Sequence, residues 1–149
     1  FQAEDGIRDI GVTGVQTCAL PILAPKKTPL SSMTPTIITE NNRLRMAVGA
    51  PGGSTIITQV LQIILNVLEY KIDVGAAVSV PRIHHQWLPD ELRVEAWGLD
   101  VLTREDLQQR GHKIREPAPW GNANAITVTE DDTLEAAADP RGDGSPRGY

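Results

Sequence analysis

Between Thr55 and Tyr70 the chain carries Ile56, Ile57, Val60, Leu61, Ile63, Ile64, Leu65, Val67 and Leu68. Wound into an α-helix, these residues cover most of the circumference and not one stripe, so the helix has to be buried between layers. A membrane span is the competing way to hide such a surface. The run falls short of the roughly 20 apolar residues a span needs, and Thr58, Gln59, Gln62 and Asn66 interrupt it. It reads as a core helix, and helices mixed with short strands around it predict a layered α+β arrangement.

The flanking segments follow from local pattern. Thr36-Ile37-Ile38-Thr39 and the alternating Leu44 to Val48 read as two strands joined by a turn at Glu40 to Arg43. Gly49-Ala50-Pro51-Gly52-Gly53 breaks that pattern, and Ser54 is expected as the helix N-cap. Asp73 to Val80 predicts a second helix stopped by Pro81, and Leu92 to Glu95 a strand. Thr103 is expected to cap a helix over Arg104 to Arg110, with Asp106 answering the cap and Gly111 ending it. Lys113 to Arg115 reads as a short strand. Ala125 to Thr129 and Leu134 to Ala138 read as a last hairpin, before a Gly/Pro-rich end from Pro140.

Residues 1–22 do not fit this scheme. They show neither helical nor strand periodicity and no signal-peptide pattern. Back-translation of Gln2 to Asp9 and of Val12 to Ile22 yields strings like the two constant parts of a short-read library adapter. Ile10 and Gly11 fall where its barcode would lie. The segment is therefore expected to be an adapter-derived leader and the native part to be 23–149. With all 149 residues, 19 acids face 14 bases for a net charge of −5. Without the leader, 16 face 13, and the single cysteine, Cys18, is lost. Either balance argues against a general nucleic-acid or anionic-membrane binder, since both need a basic face. A disulfide framework and a Cys-rich zinc site are excluded on either count.

Several residues could carry chemistry. Gly52 and Gly53 open the apolar helix, where two glycines allow a tight turn and close approach to their N–H groups. The positive end of the helix dipole favours a developing anion there, as in an oxyanion hole. On sequence alone, glycine chosen only for its dihedrals is the commoner use of such a turn. Ser31 and Ser32 could bind a carboxylate through neutral donors, although a polar turn is the commoner use of paired hydroxyls. His84 and His85, with Asp90, Glu91 or His112, invite a metal reading. Adjacent histidines point apart in most backbones, and no H-E-x-x-H or Cys partner accompanies them, so no metal is expected. Arg141-Gly142-Asp143 spells an adhesion tripeptide that a Gly/Pro-rich, mixed-charge tail produces easily.

Taken in order, Pro29 to Ile37, Gly49 to Ser54, Ala77 to Pro89, Asp139-Pro140-Arg141 and the closing Gly148-Tyr149 resemble the gamma-glutamyltransferases, or glutathione hydrolases. The resemblance runs from about Lys27 to the terminus. It implies part of an N-terminal nucleophile hydrolase, an αββα sandwich cut from a self-cleaving precursor. In that family the new N-terminal threonine of the small subunit attacks a γ-glutamyl amide, its own α-amine acting as base. The γ-glutamyl group then passes to water or to an amino acid or peptide. Carried over by motif, Gly52 and Gly53 match the oxyanion-hole glycines, and Ser31 and Ser32 match the pair that binds the substrate α-carboxylate. His84, His85 and Trp87 fall in a family segment without an implied catalytic role. No cofactor is implied.

The resemblance also sets what is expected to be absent. The nucleophilic threonine and the residues that grip the α-amino group precede Pro29 in the family. Thr13, Thr17 and Thr28 do not replace that threonine. The chain is thus expected to be an inactive C-terminal fragment of a small subunit. Its partners would be the rest of that subunit, the large subunit, glutathione or other γ-glutamyl donors, and amino-acid or peptide acceptors. A periplasmic or secreted site is the family expectation only. A β-lactam side-chain acylase of the same superfamily and a non-catalytic interaction domain stand as alternatives. The paired serines favour γ-glutamyl substrates over the first.

Overall fold

The computed structural model describes residues 33–148. The expected leader, the lead-in to Pro29 and both Ser31 and Ser32 lie outside the described residues. The elements run β1 (Thr36–Glu40), β2 (Arg43–Gly49), a 3-10 turn (Gly53–Thr55), α1 (Ile56–Leu68), α2 (Val74–Ser79), β3 (Ile83–His84) and β4 (Leu92–Val94). After these come α3 (Val101–Gln109), β5 (Ile114–Arg115), β6 (Asn124–Val128) and β7 (Leu134–Ala138). The composition is α+β, as expected.

Asn41 and Asn42 turn the first hairpin with φ of +50° and +61°, a left-handed pair that asparagine tolerates and that matches strand twist. The sheet order is β1-β2-β6-β7, antiparallel at every step. Thr36, Val48, Ala125 and Ala137 align across it in one row, and Ile37, Ala47, Ile126 and Ala136 in the next. Because side chains alternate, the first row faces the core and the second faces away. Met46, Val48, Ala125 and Ala137 form one core cluster with Ile56, Val60 and Ile63 of α1 and Val74, Ala77 and Val78 of α2. The alanines of β6 and β7 leave room for α2 to lie close to the sheet.

A smaller sheet has the order β3-β4-β5. β4 and β5 are parallel, as a strand-helix-strand crossover through α3 requires. Here two expected caps are corrected. α3 begins at Val101, and Asp100 caps it by accepting from the Thr103 N–H at 2.9 Å. Thr103 donates to that cap, at 2.6 Å through its hydroxyl, and does not supply one. An ionised carboxylate outcompetes a hydroxyl as acceptor at the positive end of a helix. Ser54 likewise does not cap α1. The 3-10 turn contains it, Thr55 occupies the cap position, and no side chain caps the first turn. Gly111, with φ of +96°, ends α3 as expected.

The expectation that α1 is enclosed all round is met on one face only. Ile56, Gln59, Val60 and Ile63 are buried, whereas Ile57, Leu61 and Leu65 point outward and are roughly half exposed. Their spacing of four residues puts them on one stripe opposite the sheet. Within the described residues α1 therefore has one covering layer. No helix among the described residues is long and apolar enough to cross a membrane.

Candidate active site

The chain leaves β2 at Gly49, passes Ala50 and Pro51, and enters the turn that leads into α1. Gly52 has φ of +139° and Gly53 φ of +59°, two consecutive residues where an L side chain is strained. A Cβ on Gly52 would also lie 2.6 Å from Gln59 Nε2 and 2.7 Å from Thr55 Oγ1. The first glycine is thus required by its dihedral and by its neighbours.

Two polar side chains on the buried face of the helix start brace this corner. The Thr55 hydroxyl donates to the Gly52 carbonyl at 2.9 Å, and the Thr55 N–H reaches the same oxygen at 3.2 Å. Gln59, fully buried, donates through Nε2 to Thr55 Oγ1 at 2.8 Å and to the Pro51 carbonyl at 3.3 Å. Its Oε1 faces Arg82 Nη1 at 3.5 Å. Gly121, with φ of +86°, lets the chain pass over the carboxamide, where a Cβ would come 1.9 Å from Oε1.

Behind Gln59 lies a buried ionic cluster. Arg82 donates to the carbonyls of Trp120 at 2.8 Å and Val78 at 2.9 Å and pairs with Asp139. Asp139 also accepts from the Ala123 N–H at 2.9 Å and from Arg141 at 3.0 Å. Arg141 reaches across to Glu95, whose carboxylate takes the N–H groups of Arg82 and Trp120 at 2.9 and 3.0 Å. Burial alone would raise both carboxyls. Hydrogen bonds from Arg141, Trp120 and Arg82 outweigh it at Glu95, and those from Ala123, Arg141 and Arg82 outweigh it at Asp139. Both are held below their ordinary values, so both carboxylates are ionised at neutral pH. Arg141 is correspondingly raised against its own burial by Glu95 and Asp139.

The sequence-derived candidates separate accordingly. Gly52 and Gly53 stand together at the corner where α1 begins. His84 and His85 diverge. His84 is buried between Thr58 Oγ1 at 2.8 Å and Gln86 Oε1 at 2.9 Å, whereas His85 faces Asp90 at 3.3 Å. Among the described residues no group of three or more His, Cys, Asp or Glu could hold a metal. The adhesion reading of Arg141-Gly142-Asp143 fails, because the Arg141 side chain is spent on Glu95, Asp139 and three backbone carbonyls. Gln59, Thr55, Arg82, Glu95 and Asp139 were not singled out as site residues by sequence. One signal was available: Gln59 lies on the same helical face as Ile56, Val60 and Ile63, and a buried amide must find partners.

The family model described as gamma-glutamyltranspeptidase matches residues 9–149, beginning inside the segment expected to be a leader. The chain is 42% identical over 142 residues to the glutathione hydrolase proenzyme of Escherichia coli (strain K12), covering 95% of this chain and 24% of that protein. It is similar to the solved gamma-glutamyltranspeptidase of Pseudomonas nitroreducens, with a TM-score of 0.77 and 33% identity over 94% of this chain and 72% of that one. It is also similar to a variant of the Helicobacter pylori gamma-glutamyltranspeptidase, with a TM-score of 0.74 and 43% identity over 80% of this chain and 66% of that one. The chain spans about a quarter of the length of the Escherichia coli relative.

Proposed function

Because the chain belongs to the gamma-glutamyltranspeptidase family, we propose that it supplies the oxyanion-stabilising part of a γ-glutamyl-transferring active site. Gly52 and Gly53 present N–H groups to the γ-carbonyl oxygen, and Ser31 and Ser32 hold the α-carboxylate of the same γ-glutamyl group. The observation that carries this reading is the corner itself. Two consecutive glycines with positive φ open a helix, and the carbonyls of Pro51 and Gly52 are both taken up by buried side chains.

The chemistry is acyl transfer. A threonine hydroxyl from sequence outside this chain adds to the γ-carbonyl carbon, and its proton passes to that threonine's α-amine. The carbonyl electron pair moves onto oxygen, then returns as the bond to the amine leaving group breaks. The departing amine takes the proton, and a γ-glutamyl ester remains. Water, or the amine of an amino acid or peptide, adds to the ester by the same sequence and frees the threonine. Negative charge develops on one oxygen in both halves, so one pair of N–H donors serves twice. Glutathione and related γ-glutamyl compounds are the donors, and the steps as written require no metal or other cofactor.

The test uses the complete, matured gene product that contains this chain, assayed with γ-glutamyl-p-nitroanilide. Release of p-nitroaniline, with KM raised in Ser31→Ala and Ser32→Ala, is the expected result. Turnover of a glutaryl amide without turnover of the γ-glutamyl anilide would replace this reading with the acylase one. No turnover of either would leave a non-catalytic domain. We also propose that residues 1–22 derive from a library adapter. Genomic codons for them in frame across Ile22–Leu23 would overturn that.

A further inference from the structure

A peptide unit is planar, and every one described here except Leu88–Pro89 is trans. In a trans unit the carbonyl and the following N–H point in opposite directions. The direction of the Gly52 N–H is therefore set by where the Pro51 carbonyl is held, and that of the Gly53 N–H by where the Gly52 carbonyl is held. The Pro51 carbonyl is held by Gln59 Nε2 at 3.3 Å. The Gly52 carbonyl is held by the Thr55 hydroxyl at 2.9 Å and the Thr55 N–H at 3.2 Å. Both anchors lie toward the buried side of the turn, so both glycine N–H groups are aimed away from it.

From this we infer that Gln59 and Thr55 are the positioning residues of the oxyanion hole, an inference that rests on the role proposed above for Gly52 and Gly53. Neither touches the reacting atoms. They act as a relay in which the carboxamide of Gln59 fixes Thr55 Oγ1 at 2.8 Å and Thr55 in turn fixes Gly52. The carboxamide is itself held from rotating. Its Oε1 faces Arg82 and the bare backbone of Gly121, and Arg82 is anchored to Val78, Trp120 and Asp139. Both glycines have φ values outside the range that side-chain-bearing residues prefer, so without these anchors the corner has other conformations open to it. Preorganised donors stabilise an oxyanion only while they are already aimed at it.

The test compares Thr55→Val, Gln59→Glu, Thr55→Ser and Gly53→Ala in the complete, matured enzyme, with kcat expressed per mole of matured subunit. Gln59→Glu keeps the volume and the oxygen facing Arg82 but cannot donate to Pro51 or Thr55. Since removal of an oxyanion donor costs about 10²–10³ in kcat, misaiming one should cost about tenfold to a hundredfold in Thr55→Val and in Gln59→Glu. KM for γ-glutamyl-p-nitroanilide should stay within about twofold, because carboxylate binding is untouched, and Thr55→Ser should restore kcat. A purely structural role would lower the yield of folded protein and leave kcat per matured subunit unchanged. That unchanged kcat in both variants, beside a loss in Gly53→Ala, would overturn the positioning role alone. An unchanged kcat in Gly53→Ala would overturn the reading of the glycine pair on which it rests. Should Thr55→Val fail to mature, Gln59→Glu and Thr55→Ser decide the matter between them.

Discussion

Arg141 grips both oxygens of Glu95, its Nε donating to Oε1 at 2.8 Å and its Nη2 to Oε2. The pair joins the segment after β7 to the end of β4, and Arg141 also reaches the carbonyls of Val78, Ser79 and Val80 at the end of α2. Three elements distant in sequence are closed by one guanidinium. Its planar fork matches a carboxylate in a way that the single ammonium of lysine cannot.

Removing that guanidinium leaves Glu95 and Asp139 buried with one cation fewer between them. Arg141→Ala should therefore destabilise the complete protein by about 3–5 kcal/mol, the usual cost of breaking a buried pair on one side. Arg141→Lys should recover only part of this. Denaturant midpoints at neutral pH measure both, and an Arg141→Ala midpoint equal to that of the unaltered protein would refute the cluster as a closure device.

Stability should fall with acid in two stages. His84 is lowered from its ordinary 6.5, by burial first and then by Arg93 and His85, against the opposing effect of the hydrogen bond that its ring N–H donates to Gln86. A base lowered on folding takes up its proton more readily when unfolded, so stability declines as pH drops below about 6.5. Glu95 and Asp139 are lowered from 4.5 and 3.8, so their contribution is present above those values and is lost as pH falls through the folded ones. His84→Gln should flatten the first stage and leave the second. Unfolding free energies between pH 7 and 3 give both. An unaltered slope just below pH 6.5 in that variant would rule out His84 as its source.

Two glycines with similar positive φ should respond differently to alanine. Gly111→Ala adds a methyl to open space at φ of +96° and carries only the left-handed strain, on the order of 1 kcal/mol. Gly121→Ala adds the same strain at φ of +86° and drives a methyl to 1.9 Å from Gln59 Oε1. Overpacking raises its cost to about 3 kcal/mol. Thermal unfolding of the two variants side by side tests this, and equal losses would show that Gln59 yields without cost.

The elements formed from short-range signals were legible in the sequence. Asn41-Asn42 marks a hairpin, Pro81 limits α2, and Gly111 ends α3, because each acts within a few residues. The caps were less legible. Ser54 and Asp100 both stand near a helix start, and choosing the residue that caps requires knowing where the first turn begins. The Gly52–Gly53 corner could be marked as special from sequence, but its anchors could not. Gln59 contacts Arg82 and Gly121 only because three separate segments converge on one helix face. Arg141 was legible as part of an adhesion-like tripeptide and of the Asp139-Pro140-Arg141 family block, but its structural role was not, since that depends on a carboxylate 46 positions earlier.

The outward stripe of α1 and the outward row of the sheet should make the chain adhesive when it is produced alone. Ile57, Leu61 and Leu65 on one side, and Ile37 and Ile126 on the other, leave apolar surface exposed on both faces of a two-layer body. Contiguous patches of that kind bind other apolar surfaces. Residues 23–149 produced in isolation should therefore bind a hydrophobic dye at neutral pH and self-associate as concentration rises. Leu61→Lys together with Leu65→Glu should lower dye binding without weakening the core, because these side chains take no part in the core cluster. The same pair placed in the complete protein tells whether the stripe is covered there. If it is, the double variant should lose yield of matured protein. A dye-free, monomeric and cooperatively unfolding isolated chain would show that α1 and the sheet do not need a further layer on either side.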